Sequence, residues 1–277
     1  MRNIDSKVIL IITINCLFFF SLFSNTKYSD NYKEGTYPDK QKANKVQSLN
    51  ATPPKRIALI IGNCNYSRDT FKFAANDAKL MKETLEKVNF DVTILIDKKY
   101  DEIANAIDTF LIKLRDDKSL TGLLYFTGNG IQVDGRNYFI PIDKEVNIIE
   151  EVWTNTISIH DILERLERIK NKLNIIIIDL PRTNKKRFTT GPHLNIEVFL
   201  PNETFIIYSC SPWAQPVYIS EGNNSIFAFE LNKAILEEEI DLSIVDKIVR
   251  EKVYNKTNKK QVIWSSSSLS KKFYFKE

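Results

Sequence analysis

Short apolar runs recur along this sequence, and their spacing is the feature that most constrains the fold. Most of these runs are continuous rather than alternating, which is typical of strands buried on both faces of a parallel sheet. The predicted strands are RIALIIG (56–62), DVTILID (91–97), GLLYFTG (122–128), LNIIIID (173–179), TFIIYSC (204–210) and KKFYF (271–275). Amphipathic helices are predicted at 76–88, 101–114, 158–169, 225–238 and 240–254. This alternation predicts an α/β domain with a mostly parallel sheet of about six strands and helices on both faces.

Local signals add detail to this pattern. The stretch IQVDGRNYFIP (131–141) contains an Asp-Gly pair between two apolar runs, which predicts a β-hairpin. Asn76 or Asp77 is the predicted N-cap of the first helix, and Ser158 that of the third, because their side chains can accept from free backbone N–H groups.

The first 54 residues differ in character from the rest of the chain. Arg2 and Lys7 precede an apolar stretch at 8–23, which is the pattern of an export signal. Residues 1–24 are therefore either a cleaved signal peptide or an uncleaved membrane anchor. Residues 25–54 are polar and aperiodic, which predicts a flexible linker. We expect an extracytoplasmic protein, secreted or attached to a membrane through the apolar stretch.

Composition limits the classes of partner and cofactor. The remaining residues, 55–277, are enough for one folded domain. The net charge of +4 is spread along the chain, whereas nucleic-acid binding needs a clustered basic face, so we expect no nucleic-acid partner. The three cysteines and two histidines form no CxxC motif and no cluster, so the sequence predicts no metal site and no cofactor.

Candidate functional residues follow the apolar runs directly. In doubly wound α/β sheets the functional site lies outside the carboxyl ends of the strands. The residues at those ends are Asn63-Cys64, Gly128-Asn129-Gly130, Asp179-Leu180-Pro181-Arg182 and Ser209-Cys210-Ser211.

Several of these stretches together resemble one family. The blocks RIALIIGNCNY, NDAKLMKETL, YFTGNGIQVDGRNYFIPID, IIIIDLPR and VIWSSSSLSKKFYF are similar, in order, to blocks of the caspase-like superfamily of cysteine endopeptidases. The resemblance is to its bacterial orthocaspase and metacaspase branch and covers Lys55 to Phe275. It implies a caspase-like three-layer sandwich with the sheet between two helical layers.

The resemblance also implies a catalytic pair that this chain lacks. In the family a histidine follows the third strand and a cysteine follows the fourth, and the thiolate attacks the scissile carbonyl. Here those positions hold Asn129 and Pro181. An amide is no base near neutral pH, and proline has neither a nucleophile nor a backbone N–H. A shifted alignment cannot supply them, because no cysteine lies between Cys64 and Cys210 and no histidine precedes His160.

Two further positions carry binding hypotheses. Asp179 matches the family's acidic residue two before the cysteine, which lines the pocket for a basic side chain in the basic-specific branch. It could equally cap a loop or pair with Arg182. Ser211, just beyond the next strand, is the second candidate peptide-binding residue. Asn129 has a structural alternative too, since asparagine tolerates left-handed turns.

Three functions remain open from the sequence. The first is a non-catalytic caspase-like domain that binds a peptide or protein partner with basic residues, as a decoy or regulator. The second is a hydrolase with rewired residues, using Cys64, Cys210 or Ser211 with His193. The third is a structural domain with a collapsed cleft. Strands three places apart are roughly 14 Å apart, so we expect Cys64 and Cys210 to be free thiols.

Overall fold

The structure, a computed structural model, describes residues 56–67, 71–182, 199–212, 214–217 and 220–276. In chain order the described strands are β1 (Arg56–Gly62), β2 (Phe90–Ile96), β3 (Thr121–Thr127), β4 (Gly130–Val133), β5 (Arg136–Phe139), β6 (Ile157–Ser158), β7 (Leu173–Asp179), β8 (Thr204–Tyr208), β9 (Ser220–Glu221), β10 (Asn224–Ser225) and β11 (Trp264–Ser267). The described helices are α1 (Ala74–Lys87), α2 (Tyr100–Asp116), α3 (Glu150–Asn155), α4 (Ile159–Ile169), α5 (Ile226–Ile235) and α6 (Leu242–Lys256).

The main sheet has six strands in the order β11-β8-β7-β3-β1-β2. Its strands pair in parallel except β11, which runs antiparallel to β8. Alternate residues of the central strands point to opposite faces, so both faces of each central strand are apolar. The predicted mostly parallel sheet of about six strands is confirmed.

Each face of the sheet carries its own apolar layer. On one face α1, α5 and α6 pack over residues such as Ile60 and Tyr125. On the other face α2 and α4 pack over their sequence neighbours, such as Leu59 and Phe126. The three-layer prediction is therefore confirmed. It follows from continuous apolar strands, because a strand buried on one side only would alternate with polar residues.

A smaller antiparallel sheet follows β3 directly, in the order β4-β5-β6. The predicted hairpin is its first two strands, with Asp134 and Gly135 in the turn, both at positive φ. Since β4 begins at Gly130, this sheet is attached immediately beyond Asn129.

The predicted caps are right for one helix and wrong for another. Ser158 caps α4, and its hydroxyl accepts from the backbone N–H of Asp161. The first helix, however, begins at Ala74, so Asp77 lies within its first turn rather than at its cap. The Asp77 carboxylate instead accepts from the Asn224 side chain at 2.9 Å and from the Ser225 N–H at 3.0 Å. A tertiary contact with the start of α5 thus takes the carboxylate that the local pattern assigned to capping.

The predicted last strand at 271–275 is also wrong. The edge strand of the sheet is β11, and the later segment makes only an isolated bridge between Tyr274 and Asp241. Phe273 and Phe275 instead pack into the α5 and α6 side of the core. An alternating apolar pattern gives the same sequence signal for a strand and for an extended tail with two buried rings.

Arg56 joins this tail to the start of β1. Its guanidinium is buried and donates to the carbonyls of Val88, Tyr274 and Phe275 at 2.7 to 3.1 Å. The same group lies 5.0 Å from the ring centroid of Phe273. One side chain therefore satisfies three carbonyl oxygens and stacks on the tail.

An Arg56→Met variant should lose about 2–4 kcal/mol of unfolding free energy, because three carbonyls lose a charged donor. Urea unfolding measures the loss. The matched control is Arg168→Met. Arg168 is exposed and lies 3.8 Å from Glu164, and a surface ion pair of this kind is expected to contribute under about 1 kcal/mol. Equal losses in the two variants would contradict a structural role for Arg56.

Candidate functional site

The two positions implied to be catalytic lie at the ends of neighbouring strands. β3 and β7 pair in parallel, and their last partners are Thr127 and Asp179. Asn129 and Pro181 each follow that pair by two residues. Neighbouring strands are about 4.8 Å apart, so the two positions begin side by side at the carboxyl edge of the sheet.

The glycines around Asn129 let the chain pass close to its neighbours. A Cβ at Gly128 would lie 2.6 Å from the Asn63 carbonyl oxygen, and its φ of +143° is itself strained for other residues. A Cβ at Gly130 would lie 2.9 Å from the Cβ of Leu180. The positive φ of this turn falls on Gly128 and not on Asn129. The left-handed turn that asparagine tolerates is therefore not the conformation of Asn129.

The backbone of Asn129 is fixed by hydrogen bonds on both sides. Its N–H donates to the Tyr66 hydroxyl at 3.0 Å, and that hydroxyl donates to the Ile140 carbonyl at 2.9 Å. The Ile140 N–H donates to the Asn129 carbonyl at 3.0 Å. Since both backbone groups are occupied, the half-buried amide side chain is what Asn129 offers to a ligand.

Pro181 is buried, and the residue after it is tied into the surrounding loops. The Arg182 N–H donates to the Ala214 carbonyl at 2.8 Å. Its guanidinium donates to the Asn137 side chain at 3.2 Å and to the Cys210 carbonyl at 3.1 Å, and lies 4.1 Å over the Tyr208 ring. Arg182 thus donates to the uncharged oxygens of Asn137 and Cys210. The Asp179 carboxylate accepts a hydrogen bond from the Tyr125 hydroxyl at 3.3 Å.

Two buried carboxylates line one small cavity beside these positions. Asp179 reaches it from the end of β7, and Asp77 reaches it from the first turn of α1. The cavity has a volume of about 30 Å³, enough to hold a water molecule. Its other walls are mostly apolar: Phe71, Phe73, Ala74, Thr127, Gly128, Pro181, Pro216, Val217 and Ser225.

Burial raises the pKa of both carboxyl groups. The pKa of Asp179 rises to about 7, because burial disfavours its charge and the negative charge of Asp77 adds to this effect. The pKa of Asp77 rises to about 6, again through burial, although hydrogen bonds from Asn224 and Ser225 oppose the shift. The pair is therefore partly protonated near neutral pH, and a nearby cation would displace the bound proton.

Asp77 was missed as a site residue by sequence reasoning. A signal for it exists, because Asp77, Met81 and Leu85 fall at i, i+4 and i+8 on the buried stripe of α1. A carboxylate on an otherwise apolar helix stripe is expensive to bury and indicates a specific role.

The candidate surrogate nucleophiles are poorly placed for catalysis. Cys64 and Cys210 are both free thiols. Cys210 is 1% exposed, and burial raises its pKa to about 12. Burial and the adjacent Asp97 raise the pKa of Cys64 as well. Ser211 is half-buried outside the lining of the acidic cavity, and His193 lies outside the described residues.

No group of three or more metal-ligating side chains occurs in the part of the chain that the structure describes. In the same part, no helix is long and apolar enough to cross a membrane. The apolar stretch 8–23 and the linker 25–54 lie outside the described residues, so both expectations for them stay predictions.

A comparison with protein families decides the ancestry. The family model for the caspase domain of peptidase C14 matches residues 55–274. The chain belongs to this family. The caspase domain therefore covers the whole sheet and both helical layers.

Two curated relatives match the same domain. Human mucosa-associated lymphoid tissue lymphoma translocation protein 1 is 29% identical over 234 residues, covering 83% of this chain and 28% of the human protein. Its mouse homolog is 28% identical over 233 residues, covering 83% of this chain and 27% of that protein. The chain thus spans under a third of these relatives. Placement in the bacterial branch stays a prediction.

Solved caspases have the same fold. Caspase-1 from Spodoptera frugiperda superposes with a TM-score of 0.60 at 14% identity, covering 81% of this chain and 91% of that chain. The Drosophila initiator caspase Dronc also superposes with a TM-score of 0.60, at 13% identity, and the match covers 85% of this chain and 91% of the Dronc chain. At such identities the likeness concerns the fold alone.

Proposed function

We propose that this caspase domain is non-catalytic and binds a basic side chain of a peptide or protein partner. The observation that carries the proposal is the pair Asn129 and Pro181, side by side at the ends of β3 and β7. Neither side chain can act as a nucleophile or as a general base. The domain would then serve as a decoy or regulator that recognises a chain without cutting it.

The acidic cavity supports a basic partner. A guanidinium or ammonium group between Asp77 and Asp179 would replace their protons with a charge-assisted contact. The cavity of about 30 Å³ is too small for such a side chain as it stands. Binding therefore requires the cavity to widen.

That small volume also favours a second candidate, a structural domain with a closed cleft. In this case the paired carboxyl groups keep their raised pKa values and no ligand enters. The rewired hydrolase has less support, because Cys210 is almost fully buried and the pKa of each described thiol is raised. A thiol must lose its proton before it becomes a strong nucleophile.

Export belongs to the same proposal. Residues 8–23 would direct the chain out of the cytoplasm, either as part of a cleaved signal or as a membrane anchor. Mass spectrometry of the mature N-terminus after membrane fractionation separates the two, and an intact N-terminus in the soluble cytoplasmic fraction would contradict both.

The purified chain should bind without cleaving. We expect no hydrolysis of fluorogenic peptides ending in Arg, Lys or Asp. In titration calorimetry an Arg-ended peptide amide should bind saturably, and a citrulline-ended peptide should bind at least about tenfold more weakly, because it lacks the charge.

Each outcome of this experiment has one meaning. No binding of either peptide would favour the closed structural domain, whereas equal binding of the two peptides would contradict recognition of the positive charge. Turnover that disappears on alkylation would show that Cys64 or Cys210 is a working nucleophile. Asp179→Asn serves as the matched variant for binding, since it keeps the side-chain shape and removes the charge.

A further inference from the structure

A second and much larger cavity lies behind the small sheet. Its volume is about 320 Å³. Arg136 and Tyr138 of β5 line it, whereas Asn137 between them contacts Arg182. Because neighbouring residues of a strand point to opposite faces, this cavity and the Arg182 side chain lie on opposite sides of the small sheet. We call it the rear pocket.

Aromatic side chains form much of the rear pocket. Trp153 of α3 and Tyr138 meet edge to face, with ring centroids 5.5 Å apart and an interplanar angle of 71°. Tyr100 at the start of α2 contributes a third ring to the lining. Trp153, which lines the pocket, is 57% exposed. Large exposed apolar groups beside a cavity are a mark of ligand or partner binding.

The charges of the rear pocket cancel. Two arginines and two aspartates line it, and Arg165 is already paired with Asp108 at 2.8 Å. Arg136 and Asp161 complete the set. A pocket with balanced charges has no net attraction for an ion, but it offers both donors and acceptors to a neutral polar group. Ser158 and Thr156 add hydroxyl groups to the lining.

We propose that the rear pocket binds a neutral aromatic ring that carries a hydrogen-bonding group, such as an indole or a phenol. The ring packs on the exposed Trp153, which is itself supported edge to face by the buried Tyr138, and its polar group meets the charged side of the lining. The volume suits one ring system, since it lies at the small end of the range for ligand pockets. Aromatic ligands gain affinity from ring contacts beyond their buried area, which an aliphatic ligand does not.

The ring belongs either to a free small molecule or to an aromatic side chain presented by a protein. Both sources offer the same chemistry to Trp153. The probes are therefore free indole, N-acetyl-tryptophanamide, which mimics a side chain within a peptide, and N-acetyl-leucinamide as the aliphatic control. Saturation-transfer difference NMR and titration calorimetry on the full chain measure their binding.

Three variants locate the binding. Trp153→Ala removes the exposed ring, and Ala104→Phe fills the pocket from α2, where Ala104 lines it. Both variants should weaken the binding of the aromatic probes by about tenfold or more, because the first removes the ring on which a probe packs and the second occupies its space. Trp264→Ala is the matched control, since Trp264 is a similarly exposed indole on β11. This control should change the dissociation constant of each probe by less than about twofold, since an exposed ring away from the site contributes little.

Tighter binding of free indole than of the amide would assign a small-molecule ligand. Tighter binding of the amide would assign a protein side chain. Either result supports the proposal when Trp153→Ala and Ala104→Phe abolish the binding of the aromatic probe. The proposal is overturned if no aromatic probe saturates at concentrations of about 10 mM, the weakest range of specific binding. Equal binding of N-acetyl-leucinamide, or an equal loss in Trp264→Ala, would overturn it too.

Discussion

At about pH 8 an Asp179→Asn variant should be more stable to urea than the unsubstituted chain, and this advantage should disappear near pH 4. The carboxyl pKa values of Asp179 and Asp77 are about 7 and about 6, above the ordinary value of 3.8. Protonation therefore favours the folded chain. The stability that it contributes is complete below about pH 4 and is lost as the pH rises through these two values.

The expected size follows from the shift. A change from 3.8 to about 7 is roughly three pKa units. At 1.36 kcal/mol per unit, the gain from removing this charge has a ceiling of about 4 kcal/mol at high pH. The amide oxygen can still accept from the Tyr125 hydroxyl, so the substitution keeps the hydrogen bond that Asp179 makes there.

Urea unfolding across about pH 4 to 8 tests this result by the difference between the two proteins. Asp91→Asn is the matched control, because Asp91 is an exposed residue of β2. Its difference from the unsubstituted chain should change little with pH. A flat difference for Asp179→Asn would mean that Asp179 is ionised and solvated in the folded chain, and the acidic cavity would then be open to water.

The layered sheet could be predicted from the sequence because a strand that is buried on both faces has apolar residues at successive positions. The runs around Leu59, Leu124 and Ile176 are apolar at successive positions, and each is a central strand with helices on both sides. The edge strand β11 gives no such signal. Three serines follow Trp264 there, and antiparallel pairing with β8 places them in the sheet.

The site was predictable only in part, for a related reason. Asn129 and Pro181 were identified because a family resemblance marked their positions. Asp77 is distant from both in sequence, and its helix position looked like a cap. What unites the residues is the parallel register of β1, β3 and β7, together with the approach of α1 to the same edge. Such long-range pairing is not visible in any local window.

Restoring the two missing groups should restore cleavage. An Asn129→His/Pro181→Cys double variant should hydrolyse Arg-ended fluorogenic peptides slowly, at a rate at least about 10²-fold above Pro181→Cys alone, the contribution typical of a positioned general base. The two backbones begin about one strand spacing apart, so an imidazole and a thiol there can come within hydrogen-bond reach. Loss of the proline also returns a backbone N–H that can stabilise an oxyanion.

The control set separates chemistry from access. Asn129→His alone should be inactive, because Cys64 and Cys210 keep raised pKa values. A peptidyl-arginine chloromethyl ketone should label the introduced thiol of the double variant, and peptide mapping distinguishes it from the native Cys16, Cys64 and Cys210. Adding Asp179→Asn should reduce that labelling at least about tenfold, if the charge in the cavity orients the arginine.

Failure would be as informative as success, because folding and access can be read separately. Suppose the double variant unfolds like the parent and its introduced thiol reacts with iodoacetamide, yet the arginyl reagent does not label it. The thiol would then be exposed, so the cavity beside Asp77 and Asp179 must be what excludes the basic side chain. The loss of the dyad would have been followed by closure of the binding cleft, and the domain would be structural.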